Sequence, residues 1–482
     1  MGSRASEAGE CDPFSTPGRR SWYLRPTRGD GRQTMRKTIG IAVVLLAAAG
    51  ACKRKGEERQ VTVTPPAAET GGGPTAVTPP PPDAPVAPAA DAAPGSAPVL
   101  LLTQAQFVEQ RNADGATASR PGPAALIILR PSGAEWKPER IEDPDSNVFH
   151  KAMAFDPDGQ GPALLTIGAM GAYLKVWRRT GGTWTATTLW HPTFGGSIDR
   201  LRDMELGDVN QDGRPEIVVA THDQGVVGVL TRVDGAWQVT ELDRRPGLFV
   251  HEVEIGDIYG EGRNQFFTTP SEPNTSKAEQ QGGSIDMYRW DGTTYQRTEV
   301  MRSEAAHAKE ILVADLDGDG KAALYAVLEA KTVAGKDCTQ DPDMTPLRIV
   351  LYEPDGEGFT ERAPMTLPDC MCRFLTWGDV DGDGTNELVA ATKSAGLWLI
   401  RRPEREAGTT ELIDADSSGF EHATLVADLD GNGTAEIYVA ADKQGELRRY
   451  TWNAQTRTFD RETIYDLGAR QITWNVTSAT LP

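Results

Sequence analysis

Cysteine is scarce in this chain. Only five occur in 482 residues, and two of them precede the stretch with a globular composition. A scaffold built on dense disulfides is thereby excluded. Positive charge is also short: 49 Lys and Arg face 69 Asp and Glu, leaving a formal net charge of −20. Nucleic acid is excluded as a partner, because its phosphates demand a basic surface. Long apolar runs are missing too. The marked one, Ile39 to Ala49, falls short of the ~20 residues that cross a bilayer. No Gly-x-Ser-x-Gly elbow, His-Glu-x-x-His pair or phosphate-binding loop occurs. On these grounds the chain is expected not to be an enzyme. What it does have is turn chemistry, with 50 Gly and 33 Pro.

The N-terminus reads as export machinery. Met35-Arg36-Lys37 is a short basic region, and the apolar run after it is of signal-peptide length. The run ends in Leu-Ala-Ala-Ala-Gly-Ala-Cys52, which resembles a bacterial lipobox. The resemblance implies that Cys52 is lipidated and becomes the first mature residue. Ala49 departs from the usual Leu three positions before the Cys, and a plain cleaved signal is the alternative. Residues 1–34 are polar and Arg-rich and form no part of a signal; translation from Met35 accounts for them. Residues 35–51 are then a lipoprotein signal peptide, and 52–99 a Pro/Ala-rich linker acting as a disordered, semi-extended tether. Residues 100–482 are the folded part. Lys53 is not the Asp-type signal for inner-membrane retention, so family analogy favours a lipid anchor in the outer membrane of a bacterial cell envelope.

One motif recurs through the folded part. Asp-x-(Asp/Asn)-x-(Asp/Asn)-Gly-x-x-Glu is complete at Asp208, Asp379 and Asp428 and degraded at Asp156, Asp257 and Asp315. The spacing of about fifty residues fits four-stranded propeller blades. Each loop follows an apolar stretch and runs into a second one, such as Ile217 to Ala220. Turn dipeptides then mark hairpins at Asp234-Gly235, Asp291-Gly292 and Asp355-Gly356. An aromatic opens each fourth strand: Trp184, Trp237, Tyr295, Phe359 and Phe459. Leu126 to Arg130 with Trp136 at one end, and Ile472 to Val476 at the other, are half repeats. Joined, they complete an all-β, seven-bladed β-propeller; a six-bladed ring is the alternative if the ends only cap. These repeats resemble the FG-GAP/VCBS family, the calcium-loop propellers that include the integrin α-subunit head. The resemblance covers about residues 120 to 480 and implies a propeller with calcium in its loops. It implies no single activity.

The loop chemistry suits a hard cation. Carboxylates at positions 1, 3 and 5 wrap oxygen around one ion, Gly at position 6 allows the turn, and Glu at position 9 closes the shell. The ligands for Ca2+ are then Asp208, Asn210, Asp212 and Glu216; Asp379, Asp381, Asp383 and Glu387; and Asp428, Asp430, Asn432 and Glu436. Asp315, Asp317 and Asp319 form a weaker set, with Ala323 in place of the closing Glu. An EF-hand is excluded, because its position 12 falls here on Val219, Ala390 and Val439, inside strands.

A second pattern appears six residues before each first Asp: His150, Arg202, His251, Lys309, Arg373 and His422. All are basic or titrate to a cation. On the innermost strand of each blade they would ring the channel mouth and hold an anionic ligand. The competing reading pairs them with acids such as Asp203 and Glu252 at a solvated rim. For the folded cysteines, Cys338 with Cys370 is the expected disulfide, and Cys372 is an equal partner by sequence. The expected function is binding of an envelope or extracellular protein or a glycan, anionic in the ring reading. The alternatives are a polysaccharide-active lyase or hydrolase on a propeller scaffold, and a structural envelope protein.

Overall fold

The computed structural model describes residues 96–111, 117–133, 135–195, 199–222, 224–272, 282–304, 306–330, 345–356, 358–404 and 408–482. Cys52, the expected signal peptide at 35–51, most of the expected linker at 52–99 and Cys338 lie outside them. The described residues contain no helix; their regular elements are strands.

The strands come in antiparallel sheets of four, taken consecutively from the chain. One consists of Leu201–Gly207, Glu216–Thr221, Val226–Val233 and Ala236–Arg244. Four others repeat it, opening with Phe249–Gly256, Ala308–Ala314, Cys372–Gly378 and Thr424–Ala427. The local chemistry explains the pattern. The acidic loop joins the first strand to the second, which is fully buried and rich in β-branched residues, as in Glu216–Thr221. The hairpin before Trp237 turns on Asp234 and Gly235, both with positive φ (50° and 83°), the geometry that matches strand twist.

The remaining sheet has nine strands, and the pair Ala105↔Val148 links its two halves. One half is Val148–Ala154, Leu164–Ala169, Leu174–Thr180 and Thr183–Trp190. The other draws on both chain ends. Gln471–Leu481 pairs with Ala97–Arg111 from Ala97↔Leu481 to Gln106↔Gln471. Ala97–Arg111 pairs in turn with Ala124–Ser132, and that strand with Glu135–Asp143. The half repeats therefore share a sheet, but through Ala97–Arg111, a strand absent from the sequence reading. It begins inside the stretch assigned to the linker, so that boundary moves to about Ala97.

Packing runs from sheet to sheet. Leu312, Tyr325 and Ile349 meet Leu375, Leu388 and Ile400 of the next sheet. The sheet made from the chain ends is held on both sides. Leu100, Leu102 and Val476 pack on Tyr438 and Leu447, while Val99, Leu101 and Ile128 pack on Phe149 and Trp177. Each such buried Leu contributes roughly 1.5–3 kcal/mol. Serial four-stranded sheets packed face to face make a propeller-like fold.

The glycine before a loop sets how closely the sheets approach. A Cβ on Gly378 would sit 2.6 Å from Val426 Cγ1 of the following sheet, and one on Gly256 would sit 2.4 Å from Val313 Cγ1. Gly378→Val is expected to cost at least 1–3 kcal/mol by overpacking, read as a lower urea midpoint with an unchanged m-value. An unchanged midpoint would show that the sheets have room to part there.

Candidate functional site

Two places bring functional side chains together. The first is the set of acidic loops. In each complete loop the first Asp turns the chain by accepting backbone N–H groups. Asp428 Oδ1 takes Gly431 N (2.8 Å) and Asn432 N (3.1 Å), and its Oδ2 takes Gly433 N (2.8 Å). The closing Glu436 takes Leu429 N at 3.2 Å. Asp379 and Asp208 repeat this geometry, closed by Glu387 on Val380 N (3.3 Å) and Glu216 on Val209 N (3.2 Å).

Within 4.8 Å of one another lie ligand oxygens of Asp428, Asp430 and Glu436; of Asp379, Asp381 and Glu387; and of Asp315, Asp317 and Asp319. In the Asp208 loop, Asn210 Nδ2 bonds Glu216 Oε1 at 2.9 Å. The residues at position 5 point partly away: Asp383 Oδ1 accepts Thr385 N and Asn432 Oδ1 accepts Thr434 N, both at 2.8 Å. These clusters fit a metal ion. Burial, with repulsion from Asp430, pushes the Glu436 carboxyl up to about 7. Its Oε1 is buried with no hydrogen-bond partner, so the crowded oxygens lack a counter-charge. Glu216 is pushed up to about 8 by burial, with Asp212 and Asp208 adding to it.

The degraded loops differ. In the Asp156 loop, Arg178 Nη2 lies 3.1 Å from Asp156 and also pairs with Asp158. In the Asp257 loop, Gln265 replaces the closing Glu and accepts Ile258 N at 3.1 Å, while Glu261 pairs with Arg289 at 2.7 Å.

The second place is where the first strands of the sheets meet around a common axis. Arg202 reaches Glu421, 219 positions further along the chain, at 3.4 Å. Five of the six basic residues of the second pattern, His150, Arg202, His251, Lys309 and Arg373, converge here, but not as an open ring, while the His422 ring turns to Thr392 and Ser417. Their side chains are enclosed: His150, His251, Lys309 and His422 are at most 3% exposed and Arg373 is 7% exposed. The cause is a register shift at this position. The ladder skips His150, Arg202, Lys309 and Arg373, and His251 together with Glu252. A bulge re-aims the skipped side chain. His422 sits just before its strand with a positive φ of 59°.

The solvated-rim reading is corrected, as is its pairing with Asp203 and Glu252. Arg373 lies 2.9 Å from Glu329 and 3.7 Å from Glu421, and Lys309 lies 3.7 Å from Glu329. Asp203 instead holds Lys151 at 3.3 Å and accepts Val253 N at 2.8 Å, and Glu310 accepts Leu375 N at 2.6 Å. These acids stitch neighbouring first strands together through amides near the bulges. A ring of six like charges is also corrected. His150 bonds Leu201 O (2.6 Å); His422 bonds Thr392 O (2.7 Å) and Ser417 Oγ (2.8 Å). Burial holds both imidazoles neutral, His422 down to about 4. Arg202 and Arg373, with the Lys309 amine beside them, then share Glu329 and Glu421.

Burial brings the Lys309 amine down to about 7, although Glu329 opposes the shift. Burial raises Glu329 in turn, but Lys309 and Arg373 outweigh it and hold that carboxylate low. Of the two partners, Arg373 is the closer. Aromatic groups cover the cations: Arg373 lies 5.7 Å from the Phe420 ring and Arg202 5.3 Å from Trp474. Phe420 is 36% exposed and marks the accessible edge. Both ring nitrogens of His251 and of His307 are buried without a hydrogen-bond partner. These partners, Glu329, Glu421, His307 and Phe420, carry no motif and were missed in the sequence.

Cys370 is disulfide-bonded and Cys372 is a free, buried thiol.

Part of the chain is similar in sequence to two curated proteins. It is 25% identical over 241 residues to the rhamnogalacturonan exolyase YesX of Bacillus subtilis (strain 168), covering 41% of this chain and 39% of that protein. It is 26% identical over 240 residues to the rhamnogalacturonan endolyase YesW of the same strain, covering 41% of this chain and 38% of that one. The chain thus spans about two-fifths of the length of the curated relatives it matches. No family model matches. Among solved structures, a protein from Lactobacillus plantarum aligns over 80% of this chain and 99% of its own, with a TM-score of 0.48 and 12% identity. The periplasmic gluconolactonase PpgL of Pseudomonas aeruginosa aligns over 80% of this chain and 100% of its own, with a TM-score of 0.46 and 13% identity. The expectation that the chain is not an enzyme is corrected by the two relatives, since both are named as polysaccharide lyases.

Proposed function

We propose that this chain is a polysaccharide-active enzyme of the bacterial cell envelope that cleaves a uronate-bearing polymer, with lyase chemistry. The observation that carries the reading is the similarity to two rhamnogalacturonan lyases. In this reading the propeller has seven blades, closed by the Gln471–Leu481 pairing with Ala97–Arg111. Cys52 carries the lipid anchor and 52–96 the tether, and Ca2+ in the Asp208, Asp315 and Asp428 loops stiffens the blades.

The axial cluster supplies the chemistry. β-Elimination removes the proton beside a uronate carboxylate, which requires that carboxylate to be neutralised and a base to be at hand. Arg373 and Arg202 are the neutralising cations, and Lys309, brought to about 7 by burial, is the base. Phe420, at the accessible edge, offers its ring to the sugar.

The test is incubation of the purified mature chain with rhamnogalacturonan and with the same polymer after its carboxyl groups are reduced. Reducing ends should form from the first polymer alone. Cleavage of neither, with tight binding of the first, would return the chain to the class of glycan-binding proteins.

A further inference from the structure

The complete Asp379 motif and the Asp428 motif are nearly the same in sequence, yet the structure fills them differently. From the third strand of its own sheet, Leu397–Arg401, the guanidinium of Arg401 enters the Asp379 loop. Its Nη1 lies 2.6 Å from Asp381 Oδ2 and 3.1 Å from Glu387 Oε1, between two of the three oxygens that would bind an ion. Glu411 on the fourth strand approaches at 3.9 Å, and the Trp452 ring of the following sheet lies 5.8 Å away. The guanidinium is thus held on several sides. A Ca2+ ion bound to the same carboxylates sits about 2.3–2.6 Å from each oxygen, which is the space Arg401 takes.

We propose that Arg401 is the resident counter-cation of the Asp379 loop, so that this loop binds no metal despite its complete motif. Arg178 serves the Asp156 loop and Arg289 the Asp257 loop in the same way. The three remaining loops, at Asp208, Asp315 and Asp428, receive no arginine or lysine partner among the described residues. Arginine-filled and arginine-free loops therefore alternate around the fold. The inference builds on the reading that a divalent cation binds the arginine-free loops, and it offers an alternative to Ca2+ on Asp379, Asp381, Asp383 and Glu387.

The experiment counts Ca2+ ions bound by the full mature chain, using equilibrium dialysis, in the native protein, Arg401→Gln and Asp381→Ala. Arg401→Lys is carried alongside, as a variant that keeps the charge should Arg401→Gln fold poorly. Arg401→Gln should bind one ion more than the native protein, and Asp381→Ala the same number as the native protein. A second readout is luminescence of bound Tb3+ sensitised by Trp452, which should rise in Arg401→Gln and fall when Trp452→Leu is added. Loss of one ion in Asp381→Ala would overturn the inference, as would an unchanged count in Arg401→Gln. If the native protein binds no ion and Arg401→Gln binds one, the inference stands and the metal reading of the other loops fails.

Discussion

Stripping the mature chain with EDTA is expected to lower its melting temperature, and millimolar Ca2+ to restore it. The effect follows from the crowding of carboxylates in the arginine-free loops. Glu436 is 1% exposed, lies beside Asp428 and Asp430, and has an oxygen with no partner. Without a cation its ionisation is opposed by burial and by its neighbours, and an ion removes that opposition. Each site saturated to about a hundred times its dissociation constant adds about 2.7 kcal/mol. Three such sites would shift the melting temperature on the order of 10 °C. Asp430→Ala should remove a measurable share of the rescue, and Asp381→Ala less, because Arg401 already neutralises Asp381. Superimposable melting curves with and without chelator would refute the metal reading.

The second large effect is acid destabilisation through buried histidines. Burial lowers His422 to about 4 and His307 to about 3, in the latter case with help from Lys309. Both folded values lie below the ordinary ~6.5, so between these values the unfolded chain binds more protons than the folded one. Stability from these groups is complete above about pH 6.5 and is lost as the pH falls toward 4 and 3. At about pH 5 each costs roughly 2 kcal/mol, a large part of the ~5–15 kcal/mol that holds a domain folded. Glu252 and Glu310 act in the opposite sense, since burial raises both. The clean measurement is therefore a difference. Urea unfolding at about pH 7.5 and about pH 5 should show a pH-dependent loss about 2 kcal/mol smaller in His422→Asn than in the native protein. Asn tolerates the left-handed backbone at this position. Equal losses in the two proteins would show that His422 is charged or solvated when folded.

Much of the fold was legible because its signals are local. An Asp-rich loop, a β-branched strand and a positive-φ turn each act over fewer than about ten residues. The strand Ala97–Arg111 was not legible at its start. Its first residues, Ala97-Pro98, continue the composition of the tether, and only pairing with Gln471–Leu481 at the far end of the chain orders them. The basic pattern before each loop was visible as a spacing. Its meaning was not, because bulges at Arg202, Lys309 and Arg373 turn those side chains toward Glu329 and Glu421, far from most of them in sequence. Arg401 was readable in principle: it lies one residue beyond the Leu388↔Ile400 pair, on the strand alongside Glu387. The partners Glu329, Glu421, His307 and Phe420 escaped for a related reason. A site assembled from single residues on several sheets leaves no motif in any one of them.

Under the proposed function, uronate-bearing polysaccharide is cleaved by elimination. The most direct measurement is the mass of products formed from rhamnogalacturonan in water enriched in heavy oxygen. Elimination predicts fragments ending in an unsaturated uronate, lighter by one water than hydrolysis products and free of the label. Labelled, saturated fragments would contradict the lyase chemistry, and intact polymer would contradict enzymatic function altogether.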